Sequence, residues 1–265
     1  MTKERALKKQ ARKHLQGNLP AAVGATLTVM VAIMTCIYLP SIVYSLLVNA
    51  LIITGAPIPN VPYVTVWLLI FAILICISAF LPLIAGYLRF CYLLSKNNYC
   101  DYSEVFCYFS KGKYFSTIAL CLMLIAKSIW QAVISFLPFA LLLLKAISNS
   151  TGKDNLAFGD FMWYYISYAL LFAGIMFFYM LTKHNFLAIY YYIEYDYLKA
   201  SDVCNLSRKT AVRFGKDINK LNFSLLPKML LCILIIPSVF VLPYIFVTKA
   251  TAAKWMIALS NKDEA

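Results

Sequence analysis

Lys127 stands out in this chain because an apolar stretch surrounds it. Positions 114–144 contain no other charged residue, and Ser128 and Gln131 follow it within one helical turn. An ionisable side chain inside the hydrocarbon of a membrane is a functional candidate by default. A proton relay or cation pathway would normally also use a carboxylate, and the interiors of the predicted apolar segments contain none. The alternative is that Lys127 lies at the bilayer edge and reaches lipid phosphates, with Gln131 hydrogen-bonding across helices in either case.

A second group of candidates is basic and lies near the predicted membrane boundary, where cationic side chains bind anionic lipid headgroups. Its members are Lys8, Lys9, Arg12, Lys13, Arg89, Lys183, His184, Arg208, Lys209 and Arg213. His184 is a potential proton carrier, although packing at the interface is the favoured role. Since His14 is the one other histidine and the eight cysteines form no CxxC pair, we predict neither a metal site nor a cofactor.

Sequence signatures of catalysis are missing. The chain has no GxxxxGK[ST], no GxSxG, no HExxH and no paired carboxylates within an apolar segment. We therefore predict that the protein is not an enzyme. The net charge of +13 could suggest nucleic acid, but in so apolar a chain it is better explained by membrane orientation and by anionic lipid. Anionic lipids and a membrane-protein partner are the predicted partners, and nucleic acid is not one.

The elements that position these residues must be transmembrane helices. Hydrophobic residues make up 62% of the 265 residues and charged residues 13%, and the mean hydropathy is +0.76. A helix needs about 20 apolar residues to cross the hydrocarbon, and long uncharged runs recur along the chain. Only helices satisfy their own backbone within such continuous runs. The predicted fold is an all-α polytopic transmembrane bundle with kinked helices.

Six spans are predicted within a single transmembrane domain, 20–259. The spans are 20–53, 63–94, 114–147, 160–193, 222–236 and 238–259. Prolines at 40, 82 and 138 are expected to kink the first three. The last two spans form a hairpin broken at Pro237-Ser238, and a single span there, giving five in all, is the alternative.

The remaining segments are polar. Residues 1–19 are predicted to form a basic amphipathic helix on an anionic membrane surface, with Leu7, Ala11 and Leu15 on its apolar face; a solvated tail is the alternative. In the cytoplasmic loop of about 194–222, Ser201-Asp202 is expected to cap a helix that runs through about Arg213 and is ended by Gly215. Lys and Arg number six in 1–19, four in 89–113 and seven in 183–220. The positive-inside rule therefore predicts that both termini, including a tail at 260–265, are cytoplasmic.

Several short segments together resemble a family of bacterial membrane proteins of unknown function, mainly from Gram-positive organisms. The segments are Ala11-Arg12-Lys13-His14-Leu15-Gln16-Gly17-Asn18, Gly86-Tyr87-Leu88-Arg89, Tyr102-Ser103-Glu104-Val105-Phe106, Lys199-Ala200-Ser201 through Gly215, and Pro243-Tyr244 through Ala252-Ala253. The first resembles the Ala-Arg-x-x-Leu-x-Gly-Asn opening of that family, although Leu19 follows where an aromatic residue is usual. The region of about 147–180 also looks longer than in typical members.

The resemblance implies a six-span bundle in the bacterial cytoplasmic membrane with both termini inside. The family is distantly similar to the membrane domain found ahead of some glycerophosphodiester phosphodiesterases, and it implies no catalytic residue. The favoured function is a non-enzymatic accessory or organising component of membrane transport, export or an envelope process. A transporter or channel with a polar cavity near Lys127 and Gln131 is the alternative. A lipid-modifying enzyme built on His184, Glu194 and Asp196 ranks third.

Overall fold

Helices account for every regular element of the structure, a computed structural model that describes residues 3–53, 61–97, 99–110, 112–150, 158–195, 198–232 and 234–264. The elements are α1 (Lys3–Gln16), α2 (Leu19–Ile53), α3 (Val61–Asn97), a 3₁₀ helix (Tyr102–Phe106), α4 (Cys107–Ser110), α5 (Tyr114–Ser150), α6 (Phe158–Thr182), a second 3₁₀ helix (Lys183–Asn185), α7 (Ala188–Glu194), α8 (Ala200–Arg213), α9 (Gly215–Leu231) and α10 (Ile235–Glu264). The all-α prediction is confirmed.

Four helical stretches of the described chain are long and apolar enough to cross a membrane. They are Leu19–Ala50, Ser78–Asn97, Tyr114–Asn149 and Phe161–Glu194. The chain is therefore a helical protein with the spans expected of a membrane protein, whereas the count of six stays a prediction. Helices α3 and α5 continue past Pro82 and Pro138, and the predicted kinks there are not tested. The side chain of Pro40 and the loop at 54–60 lie outside the described residues.

The predicted fourth span is interrupted. Helix α6 ends at Thr182, the 3₁₀ helix follows, and α7 begins only at Ala188. The 3₁₀ sequence is Lys-His-Asn, and its turn is closed by the Phe186 amide donating to the Lys183 carbonyl at 3.3 Å. The predicted span is therefore two helices, α6 and α7, separated by a polar 3₁₀ turn.

The predicted break of the last hairpin at Pro237-Ser238 is wrong. Helix α9 ends at Leu231 and α10 begins at Ile235, so Pro237 and Ser238 lie in the first turn of α10. The first turn of a helix tolerates proline because its N–H groups have no intrahelical acceptor there.

The predicted end of the loop helix at about Arg213 is confirmed, whereas its predicted cap and the role of Gly215 are corrected. Helix α8 has Lys199 at its N-cap without any side-chain capping bond, and Ser201 donates instead to Asp202 Oδ1 at 3.3 Å. Gly215 begins α9 rather than terminating α8, which ends at Arg213. Only Phe214 separates α8 from α9, so most of the predicted polar loop of about 194–222 is helical.

The hydrophobic core lies at one end of the molecule, which we call the packed base. It joins α1, the first turns of α2, the second half of α3, α7, α8, α9 and much of α10, and its largest fully buried side chains include Phe90, Leu94, Tyr108, Leu187, Ile218 and Met256. The α2–α3 and α5–α6 hairpins extend from it. The most apolar 18 residues of each stretch differ in burial. Of these residues, 61% are buried in α3, but only 0% in α2, 17% in α5 and 11% in the α6 stretch.

Candidate functional site

The amphipathic helix α1 packs on protein. Ala11 and Leu15 are buried in the core, with Leu7 packed against it, and the Lys8 ammonium donates to the Ser224 carbonyl of α9 at 2.8 Å. Lys3 also lies over the Trp255 ring of α10, 5.3 Å from its centroid. The apolar face predicted to meet the membrane surface is therefore covered by α9 and α10.

The outer face of α1 keeps its charge. Lys9, Arg12 and Lys13 are exposed. Together with Gln10 and Gln16 they line a surface depression of about 740 Å³. This cationic face is still available to anionic headgroups, whereas the Lys8 ammonium is hydrogen-bonded to α9.

Arg89 belongs to the interior of the packed base. Its side chain is 15% exposed, its Nε donates to Glu104 Oε2 at 2.9 Å, and its guanidinium lies 5.9 Å from the centroid of the Tyr108 ring. Glu104 comes from the first 3₁₀ helix, which packs so closely that Gly86 of α3 meets the Val105 carbonyl. The prediction that Arg89 contacts lipid is corrected, because its guanidinium contacts Glu104 and Tyr108 instead.

Lys127 is exposed on α5 and forms no ion pair or hydrogen bond within the described residues. Ser128 lines an open, mostly apolar groove of about 360 Å³ that also includes Ala132 and Phe178. Gln131 Oε1 accepts from Asn185 Nδ2 at 3.4 Å, which places this turn of α5 beside the second 3₁₀ helix. The polar triplet predicted from sequence is thus local to one helix, and Gln131 is its one member that hydrogen-bonds to another element within the described residues.

The spacing between Lys127 and Lys145 along α5 indicates the depth of Lys127 in the membrane. Lys145 is 18 residues further on, about 27 Å along a helix, which is close to the hydrocarbon thickness of about 30 Å. Its ammonium lies 4.4 Å from the centroid of the Trp163 ring, an arrangement typical of a membrane interface. This spacing suits Lys127 at one edge of the hydrocarbon and Lys145 at the other.

The second 3₁₀ helix gathers basic residues from two elements. Ser207 of α8 donates to the His184 carbonyl at 2.7 Å, and Arg208 acts electrostatically on the His184 ring. A Cβ built on Gly215 would lie 3.7 Å from the Lys183 Nζ, so this ammonium sits beside the junction of α8 and α9. Lys183, His184 and Arg208 therefore lie close together, a proximity that was not predicted from the sequence.

The last two residues of the basic group lie on the surface of α8. Lys209 and Arg213 are exposed, and the Arg213 guanidinium lies 5.2 Å from the centroid of the Phe214 ring. Both remain accessible to lipid headgroups.

A pocket between α6, α9 and α10 was not predicted from the sequence. Its volume is about 410 Å³, and it is lined by Ile175, Met176, Tyr179, Asn222, Phe223, Leu226, Met229 and Lys249. Tyr179 donates to Asn219 Oδ1 at 3.4 Å and accepts from Asn222 Nδ2 at 3.1 Å. The walls are apolar and the polar groups are few, which is the usual make-up of a small-molecule site.

Two groups in this pocket lack partners within the described part of the chain. Asn222 Oδ1 is buried and accepts no hydrogen bond. Lys249 is half-buried on α10 and has neither an ion pair nor a hydrogen bond there. Buried polar groups are normally satisfied, so an unpaired amide oxygen and ammonium in one pocket require an explanation. From sequence, Lys249 contributed only to the charge bias of the C-terminal region, because nothing local joins it to Asn222, 27 positions earlier.

No group of three or more His, Cys, Asp or Glu side chains in the described ranges is arranged to hold a metal ion. Comparison with family models, with curated proteins and with solved structures finds no match. The resemblance to the bacterial membrane family therefore stays a prediction.

Proposed function

We propose that this protein is a non-enzymatic component of the bacterial cytoplasmic membrane, one that organises or assists a partner membrane protein in transport, export or an envelope process. The packed base would anchor the chain, and the two hairpins would present helix surfaces to the partner. Both termini are proposed to be cytoplasmic, because the basic segments 1–19, 89–113 and 183–220 all belong to or adjoin the packed base.

This proposal rests on the solvent-exposed surface of α2. This helix has 35 residues, about 52 Å in length, and none of the described residues among its most apolar 18 is buried. Ser41, Ser45 and Asn49 recur at every fourth position and are all exposed. Residues four apart share one face of a helix, so these side chains form what we call the α2 polar stripe.

A polar stripe on an exposed apolar helix suits contact with another helix. Without water in the hydrocarbon, association of helices depends on close packing and on hydrogen bonds from serine and asparagine side chains. Since α3 leaves the α2 polar stripe uncovered, a second membrane protein is its proposed partner. The transporter alternative required a polar cavity at Lys127, and the exposure of Lys127 beside an apolar groove favours the organising role instead.

The experiment compares two positions of α2 in native membranes. A photo-crosslinking amino acid replaces Ser45 on the stripe or Val43 on the opposite face, where Val43 is 41% exposed at almost the same depth. We expect a discrete protein adduct from position 45 and lipid adducts alone from position 43. Equal protein crosslinking from both positions, or none from either, would contradict the proposal.

The transport alternative is tested with the purified chain in liposomes. We expect no movement of ions or small solutes across the vesicle membrane when the chain is present alone. Solute flux that depends on the purified chain and is lost in Lys127→Met would favour the transporter instead.

A further inference from the structure

We propose that the pocket between α6, α9 and α10 binds one anionic phospholipid of the surrounding bilayer, with its headgroup held by Lys249 and Asn222. This site lies away from the α2 polar stripe, and the proposal does not depend on a protein partner.

The pocket has a polar end and an apolar end. Tyr179 of α6 meets Asn219, Asn222 and the Phe223 ring of α9, the two rings being 6.2 Å apart. About one turn further from the base, Ile175 and Met176 of α6 line the pocket with Leu226 and Met229 of α9. A ligand that fills it must therefore have a polar group at one end and hydrocarbon at the other.

Lys249 lies at the polar end. The ammonium of Lys228 is 3.4 Å from the centroid of the Tyr244 ring, so these two turns of α9 and α10 are neighbours. Lys249 is five residues further along α10, and Asn222 is six residues earlier in α9. Because the two helices run in opposite directions, Lys249 lies about 7.5 Å and Asn222 about 9 Å closer to the base than this contact.

The two unpaired groups define the chemistry of the headgroup. The Lys249 ammonium needs an anionic oxygen, because a cation half-buried among apolar side chains is costly unless it is paired. The buried Asn222 Oδ1 needs a hydrogen-bond donor. A phosphodiester that bears a hydroxyl group supplies both, and its acyl chain fits against Met176, Leu226 and Met229.

The position in the membrane supplies this ligand. Ile175 and Tyr179 lie in the last two turns of α6, close to the basic residues of the second 3₁₀ helix. This is the depth at which headgroups of the inner leaflet meet the hydrocarbon under the proposed orientation. Lipid can enter laterally because the α6 and α9 walls of the pocket are exposed at the molecular surface, at Ile175, Met176, Phe223 and Leu226.

The test uses the full chain in phosphatidylcholine vesicles that contain a minor fraction of either photoreactive phosphatidylglycerol or photoreactive phosphatidylcholine. Peptide mass spectrometry locates the adducts. We expect phosphatidylglycerol adducts on α6 and α9, at least about tenfold above phosphatidylcholine adducts, since a hydrogen bond to a charged group contributes about that factor in affinity. Lys249→Met should abolish this preference, whereas Lys262→Met, which removes the same charge from an exposed position of α10, should preserve it.

Met229→Trp provides a second test, because it fills the apolar end and keeps Lys249. It should reduce the α6 and α9 adducts of both lipids. Equal labelling by the two lipids in the wild-type chain would overturn the proposal, as would a preference that survives Lys249→Met. Displacement of the phosphatidylglycerol adducts by inorganic phosphate would also overturn it, because the site would then bind free phosphate rather than a membrane lipid.

Discussion

The Arg89–Glu104 ion pair should be worth several times as much as the Lys96–Glu194 pair, although the two have the same length. Both N–O distances are 2.9 Å. Arg89 and Glu104 are 15% and 28% exposed, whereas Lys96 and Glu194 are 45% and 27% exposed. Removing one partner of a largely buried pair leaves an uncompensated charge, at a cost of about 3 kcal/mol. For an exposed pair the cost is about 0.2–1 kcal/mol.

Glu104→Gln is the informative change, because it leaves the less exposed member of the pair charged. With about 2–4 °C of melting temperature per kcal/mol, we expect Glu104→Gln to lower the melting temperature by roughly 6–12 °C. The matched variant Glu194→Gln should lower it by less than about 4 °C. Adding Arg89→Met to Glu104→Gln should restore part of the loss, since no unpaired charge then remains.

Thermal unfolding of the purified chain in detergent micelles gives the measurement. Cys91 and Cys121 are buried free thiols, so a thiol-reactive fluorophore reports their exposure as the base unfolds. A loss for Glu194→Gln as large as that for Glu104→Gln would refute the reasoning. So would a double variant less stable than Glu104→Gln alone, because the cost could not then arise from an unpaired guanidinium.

Two further predictions concern the contact between α3 and the first 3₁₀ helix. A Cβ at Gly86 would overlap the Val105 carbonyl, so Gly86→Ala should destabilise the chain by about 1–3 kcal/mol. The control is Gly17→Ala, which should leave the melting temperature nearly unchanged because no atom lies within 4 Å of the added Cβ. Equal effects of the two substitutions on the melting temperature would contradict this packing. Burial and the nearby Glu104 carboxylate raise the pKa of the Cys100 thiol to about 12, so its alkylation by N-ethylmaleimide, followed by peptide mass spectrometry, should be much slower than that of glutathione at pH 8 and should keep rising above pH 10. A rate for Cys100 that levels off near pH 9 would show that its thiol is not buried.

The approximate bounds of the long helices could be predicted from the sequence. The long apolar runs with few charges predicted α2, α3 and α5 within a few residues, because a helix in hydrocarbon must be both apolar and continuous. Lys183, His184 and Asn185 gave a local sign that the fourth span would be interrupted, but hydropathy averaged over many residues obscured it. Pro237 misled the prediction of where the last hairpin turns, because proline is tolerated in the first turn of a helix as well as between two helices.

The partners of the charged residues depend on contacts that hydropathy does not encode. Arg89 looked interfacial, but Glu104 from the following segment neutralises it within the base. The apolar face of α1 suited a membrane surface equally well, but α9 and α10 cover it. A periodic pattern shows that a helix has an apolar face, and it cannot show whether lipid or protein will cover that face.

The sequence by itself determined that this is a helical membrane protein with strongly basic segments, because composition and the length of uncharged runs are local properties of the chain. Only the tertiary structure decided where its unpaired polar groups lie. Asn222 and Lys249 come from different helices and meet Tyr179 of a third in one pocket. Whether a lysine is paired depends on packing between helices, so Lys127, prominent in the sequence, is merely exposed, whereas Lys249 lines the pocket proposed to bind lipid.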